Sequence, residues 1–210
     1  MSNLLLPDRL DNVSEPTGAR SRRRRSDADR SAAAVLAAAV EVLGRNPGAK
    51  VEQVAVAAGV TRQTVYAHYP SRPLLLGAVV ARITDEAVAA LDAADVDSGT
   101  ATEALLRWLD ATWRLLDRYP LLLDPAVTVA DPAEDDRRHA PVVARLARLV
   151  RRGQASGEFD RTTSPAWLVS ATVALGHAAG GEVAAGRATT AEAAAALCRS
   201  ILRVYGVRQP

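Results

Sequence analysis

A chain of 210 residues, 49% apolar but only 4% aromatic, has the length of one or two domains and the composition of close-packed, alanine-rich helices rather than alternating strands. No run approaches the ~18 consecutive apolar residues of a membrane span, and Leu4–Leu6 lacks the charged flank of a secretory signal. A single cysteine, Cys198, rules out an internal disulfide and suits a cytoplasmic setting. The formal charge of +2 is unevenly spread: residues 1–72 hold 11 Lys+Arg against 7 Asp+Glu, residues 73–210 hold 15 against 17.

Residues 1–25, with Pro7, Pro16 and Gly18, are expected to form a disordered basic arm. Its run Arg22–Arg25, in particular Arg24 and Arg25, stands just ahead of the first helix. Such a run is either a solvated tail or a segment that follows a DNA backbone or minor groove. Ser26 or Asp27 starts a helix to Leu43, and Asn46-Pro47-Gly48 breaks it.

Val51, Val54, Ala55 and Ala58 then recur at helical spacing, one apolar face of about two turns. Gly59 supplies the positive φ that a sharp inter-helix turn needs. Thr61 is placed to cap the next helix through its hydroxyl, while Val60 and Val65 close over the apolar face. The outward positions are Arg62, Gln63, Thr64, Tyr66 and His68, followed by Tyr69. Arginine pairs with guanine, glutamine with adenine, and threonine with either or with a thymine methyl. Val51–Tyr69 thus has the layout of a helix-turn-helix, whose second helix enters the major groove. An ordinary helical hairpin with a polar face has the same polar pattern.

Ser71 caps a long fourth helix to about Ala94, and Thr100-x-x-Glu103 is a capping box for a fifth that ends at Tyr119-Pro120. The fifth helix carries Leu105, Trp108, Leu109, Trp113 and Leu116 on more than one stripe, so it is expected to be buried on several sides. Leu121–Ala130 is a short helix at best, and 131–140 reads as an exposed loop. Pro141 opens a seventh helix, Ser164-Pro165 an eighth to about Ala185, and Thr189-x-x-Glu192 a ninth ending near Tyr205. The expectation is an all-α chain of about nine helices: a three-helix head over 26–71 and a larger helical body over 72–210.

Val35–Val79 resembles the N-terminal domain of the TetR family of transcriptional regulators. The resemblance rests on Val35–Leu43, on Val51–Ala55 followed by Ala58-Gly59-Val60-Thr61, on Thr64-Val65-Tyr66-x-His68-Tyr69, and on Ser71-Arg72-x-Leu74-Leu75. Lys50 departs from the Thr or Ser common before the second helix, and Gln63 stands where glycine is frequent. The resemblance implies a repressor that a small organic effector releases from a near-palindromic double-stranded operator. Arg62, Gln63 and Thr64 would contact bases; Lys50, Thr61, Tyr66, His68, Tyr69 and Arg72 would serve as phosphate or packing groups. It also implies a homodimer through the last two long helices, rich in small residues, and a ligand pocket around the fifth helix. Trp108, Thr112 and Trp113, with His177 in the middle of the eighth helix, are the pocket candidates. The tryptophans and the histidine have an equally simple reading as packing residues.

An activator of the same family, or a nonspecific DNA-binding protein using only the arginine arm, would share most of these features. No nucleophile elbow, phosphate-cradling glycine loop or Cys/His pairing suggests an enzyme. No cofactor is implied, and no paired-histidine or paired-cysteine spacing suggests a metal.

Overall fold

The computed structural model describes residues 17–123 and 132–207, without the side chains of 17–25 and of most of 132–138. The described residues form α1 (Thr17–Arg45), α2 (Val51–Ala57), α3 (Arg62–His68), α4 (Arg72–Ala93), α5 (Ala101–Arg118), a 3-10 turn (Pro120–Leu123), α6 (Pro132–Ser156), α7 (Pro165–Ala184) and α8 (Thr190–Val204). The all-α expectation holds among them.

The helix starts follow from local chemistry. The hydroxyls of Thr61, Ser71, Thr100, Ser164 and Thr189 each accept the backbone N–H three residues on. Glu103 and Glu192 complete the boxes by accepting from the N–H of Thr100 and Thr189. Lysine has no acceptor to offer at the start of α2; there Gln53 reaches back, and its Oε1 accepts the Lys50 N–H at 2.8 Å. The start of α5 gains a second carboxylate, Glu158, which accepts from the N–H groups of Ala101 (3.0 Å) and Thr102 (2.9 Å). Burial works against the Glu158 charge, but these two donors prevail and hold its pKa below the usual carboxylate value.

Two boundaries differ from expectation. The first helix starts at Thr17, so the backbone of 17–25, expected as disordered arm, is helical; residues 1–16 and the side chains of Arg24 and Arg25 lie outside the described residues. The segment 132–140, expected as a loop, opens α6, and Pro141 lies inside that helix rather than at its start. Proline removes one donor, and its ring crowds the preceding turn, but the residues beyond it keep helical geometry through Ser156. The short element expected over 121–130 is the Pro120–Leu123 turn, with 124–131 outside the described residues.

The apolar residues bury themselves in two clusters. The head cluster joins Val35, Ala39, Val40 and Leu43 of α1, Val51, Val54 and Ala55 of α2, Val65 of α3, and Leu75, Val79, Val80 and Ile83 of α4. The body cluster unites Leu105, Trp108 and Leu109 of α5 with Leu146, Leu149 and Val150 of α6, Leu168 and Val169 of α7, and Leu197, Ile201 and Tyr205 of α8 and its end. The head's packing thus extends three turns into α4.

Two residues from beyond α5 also belong to the head cluster. Tyr119 and Leu121 are both fully buried within it. Gly44 makes room for the tyrosine: a Cβ there would stand 2.7 Å from Cδ1 of the ring. The Tyr119 hydroxyl donates to Glu86 Oε2 at 2.9 Å, and the Arg118 guanidinium lies over the ring, 4.9 Å from its centroid. Arg118 also faces Glu41 of α1 at 3.4 Å and Glu86 of α4 at 3.9 Å. Burial, then the bond to Glu86 and its negative charge, push the phenol up to about 12. Replacing Gly44 with valine should drive a side chain into this ring and lower the unfolding free energy by about 1–3 kcal/mol, read from urea denaturation.

Candidate DNA interface and effector cavity

The turn between α2 and α3 is tight because Gly59 adopts φ +67°. The Val60 N–H donates to the Ala55 carbonyl at 3.0 Å and closes the turn. Val65 is fully buried and pins α3 to the head. Thr61, Arg62 and Gln63 stay exposed at the start of α3, with Thr64 half-buried. The Thr61 and Thr64 hydroxyls are 2.9 Å apart. Arg62 pairs with Glu52 of α2 at 2.5 Å and lies over the Tyr66 ring, 5.3 Å from its centroid. Its pKa is raised, first by its interaction with Tyr66 and then by the charge of Glu52.

The other motif residues fall into two groups. Lys50 is exposed at the start of α2. His68, Tyr69 and Arg72 face the protein instead. His68 Nε2 lies 3.0 Å from the Ser31 hydroxyl and ties α3 to α1. Tyr66 and Tyr69 are half-buried against the head cluster, and burial raises the Tyr69 pKa. The Arg72 guanidinium forks onto two carbonyls of the α1–α2 loop, Ala49 at 2.6 Å and Pro47. Of the two roles that the sequence allowed for Arg72, this geometry is a packing one. One ammonium cannot span both carbonyls as the planar fork does. Arg72→Lys should therefore cost about 1–3 kcal/mol of stability, measured by chemical denaturation, and restore little of what Arg72→Ala loses.

A cavity of about 150 Å³ lies in the body, walled by α4, α5, α6, α7 and Leu197 of α8. Trp108, Thr112, Trp113 and His177, separated by up to 69 positions in the chain, all line it. Ile83, Leu115 and Leu122 form the wall nearest the head and pack against the head cluster as well. The threonine hydroxyls at its wall are turned into their own helices: Thr84 donates to the Val80 carbonyl, Thr112 to that of Trp108, and Thr172 to that of Leu168. The indole nitrogens of Trp108 and Trp113 are buried, and no acceptor among the described residues reaches either. No Asp, Glu, Lys or Arg lines the cavity among the described residues.

Sequence reasoning missed the roles of Thr172, His139 and Glu52. Thr172 is a buried polar residue in a helix rich in small side chains, and His139 fell in the segment read as a loop. Glu52, the partner of Arg62, sits on the opposite helix of the motif, where only the fold brings the charges together. His177 was expected in the middle of an apolar helix; it lies on the exposed side of α7, at the solvent edge of the cavity.

An all-helical chain with a helix-turn-helix head and a cavity-bearing body is the architecture of the TetR-family regulators, and the comparisons agree. A stretch of 120 residues is 38% identical to the HTH-type transcriptional repressor LfrR of Mycolicibacterium smegmatis, covering 55% of this chain and 57% of that protein. The match thus spans a little over half the length of the curated relative. The crystal structure of LfrR from Mycobacterium smegmatis in complex with proflavine superposes with a TM-score of 0.61 at 29% identity, over 86% of this chain and 99% of that one. A regulatory protein of the TetR family from Rhodococcus RHA1 does so with a TM-score of 0.64 at 19% identity, over 85% and 98%, a likeness of fold alone. No family model matches the sequence. The resemblance to the TetR family read in residues 35–79 extends over the described fold. Among the described residues no helix is long and apolar enough to cross a membrane.

Proposed function

We propose that the protein is a DNA-binding transcriptional repressor whose hold on a near-palindromic operator is released by a small organic effector. The observation that carries this reading is the head: α3 is held from behind by one buried valine and presents Arg62, Gln63 and Thr64 outward from a Gly59 turn. The likeness to a protein named as an HTH-type repressor supports it. The Arg62–Glu52 pair is solvent-exposed, and such pairs are weak. A phosphate or guanine edge can therefore take over the guanidinium. Lys50, exposed at the start of α2, adds positive charge toward the DNA backbone.

A single recognition helix reads only a few base pairs, so the reading includes a homodimer with its two heads about one DNA turn, ~34–36 Å, apart. The outer side of α7 supports α7 and α8 as the dimer surface. It exposes Trp167 (65%) and Val173 (38%) with Ala174, Ala178 and Gly181 between small gaps. The cavity is the effector site in this reading. An effector that favours one body geometry over another shifts the spacing of the two heads only by its difference in affinity for the two states.

Selection of bound sequences from a random DNA pool tests the whole reading, and enrichment of no near-palindrome at moderate salt would overturn it. Gln63→Ala should relax discrimination at one base pair of each half-site by about 5- to 100-fold, the worth of one bidentate contact, while binding to random DNA stays the same. A nonspecific coater would show no discrimination to lose. Ala174→Arg should convert dimer to monomer in sedimentation velocity and cost most of the operator affinity.

A further inference from the structure

Among the described residues, four glycines are both helical and buried: Gly44, Gly153, Gly176 and Gly180. Glycine inside a helix is less stable than alanine, so each calls for a reason. At three of them a neighbouring side chain occupies the place of the missing Cβ. That atom would stand 2.7 Å from the Tyr119 ring at Gly44 and 2.5 Å from Leu123 at Gly180, and it would run into the Phe159 ring at Gly153. At Gly176 a Cβ would meet no atom of a described residue within 4 Å. Yet Gly176 lies on the inward side of α7, where Leu168, Thr172, Gly176 and Gly180 recur every fourth residue and are all buried. Thr172 and Gly176 both line the cavity, so the space over Gly176 is cavity space. Protein interiors are close-packed as a rule. Alanine would fill part of this space without a clash and would strengthen the helix.

We infer that Gly176 sets the depth of the effector site, and that an apolar group of the effector, of the size of one ring, rests against its bare backbone. This rests on the cavity being the effector site, and it makes Gly176 a determinant of which molecules fit. The peptide groups of a helix are bonded along its axis, so Gly176 offers a ligand chiefly its Cα hydrogens. Leu109, Leu116, Leu122, Val142 and Leu197 add hydrocarbon to the same cavity. Selection at Gly176 is therefore by shape. The scale follows from the volume: about 150 Å³ is comparable to an engineered apolar cavity that holds benzene. In a pocket of that size a single methyl is felt, and it shifts binding by about 10- to 200-fold.

Two variants of the full-length protein and two probes, p-xylene and toluene, test this. Gly176→Ala should raise the melting temperature by about 2–4 °C, the effect of trading glycine for alanine in an unobstructed helix of a chain this long. Gly180→Ala, one turn on, should lower it, because Leu123 has to move. By calorimetry Gly176→Ala should weaken p-xylene by about tenfold or more. Toluene should lose less, since the methyl added to the protein replaces the one missing from the ligand. In the wild-type protein, nuclear Overhauser effects should connect the p-xylene protons to the α-protons of Gly176. A lower melting temperature for Gly176→Ala would show the space to be filled already. That result, unchanged p-xylene binding, equal losses for the two probes, or no contact with the Gly176 α-protons would overturn the inference and leave the effector site standing. If neither probe binds the wild-type protein, the effector-site reading falls along with it.

Discussion

Besides α4, which contributes to both cores, a single side chain locks the two halves of this protein together. Tyr119 leaves the end of the central body helix and is fully enclosed in the core of the head, with Leu121 beside it. Its ring lies against the bare face of Gly44 on α1, and its hydroxyl is bonded to Glu86 on α4. A tyrosine in such a place satisfies two demands at once. It fills a deep apolar space, and it directs its one polar atom to an acceptor at the edge. Arg118 over the ring, facing both Glu41 and Glu86, binds the same three helices from outside. The orientation of α5 relative to α1 is therefore set inside the head's own core. A motion of α5 cannot proceed without repacking it, because close-packed interiors shift between discrete arrangements and do not deform smoothly.

Most of the helix-level plan was legible because it is local. Gly59, Thr61, Ser71, Thr100, Ser164 and Thr189 act on backbone groups within three or four residues, so their neighbours in sequence are their partners in space. Composition misled where it outweighed that local chemistry. Residues 132–140 looked like a loop because of their charges and the following proline, yet helix continues through Pro141. Residues 17–25 looked like an arm because of their arginines, yet arginine is a good helix former. Contacts between distant residues had no local signature. Nothing near Glu52 in the chain announces Arg62, and nothing near Tyr119 announces Gly44 or Glu86. The four pocket candidates do line one cavity, since tryptophans in a helix buried on several sides have few other places to go.

The proposed recognition surface has an economy of its own. Of the residues that the motif singles out, those at the start of α3 face solvent and those at its end face the protein. His68 reaches Ser31, Tyr69 packs on the head, and Arg72 holds the α1–α2 loop. The outward residues are in turn held loosely: Thr61 and Thr64 share a hydrogen bond, and Arg62 rests between Glu52 and Tyr66. These contacts limit the rotamers of the free protein without burying the groups. Arg62 thus begins near one orientation and gives up little on changing partners, which lessens the ordering cost of binding.

The cavity has two kinds of wall. Ile83, Leu115 and Leu122 also belong to the packing of the head, whereas Trp108, Leu109 and Leu197 belong to the body alone. This divides the freedom to evolve. A substitution at Trp108 or Leu197 alters what the cavity accepts while the head keeps its core. One at Ile83 or Leu122 alters both, and each change in the shape of the cavity is coupled to a change in the packing beneath α3. Related chains that part company over what they sense should therefore diverge first along the walls formed by α5, α7 and α8, and keep the floor beneath them.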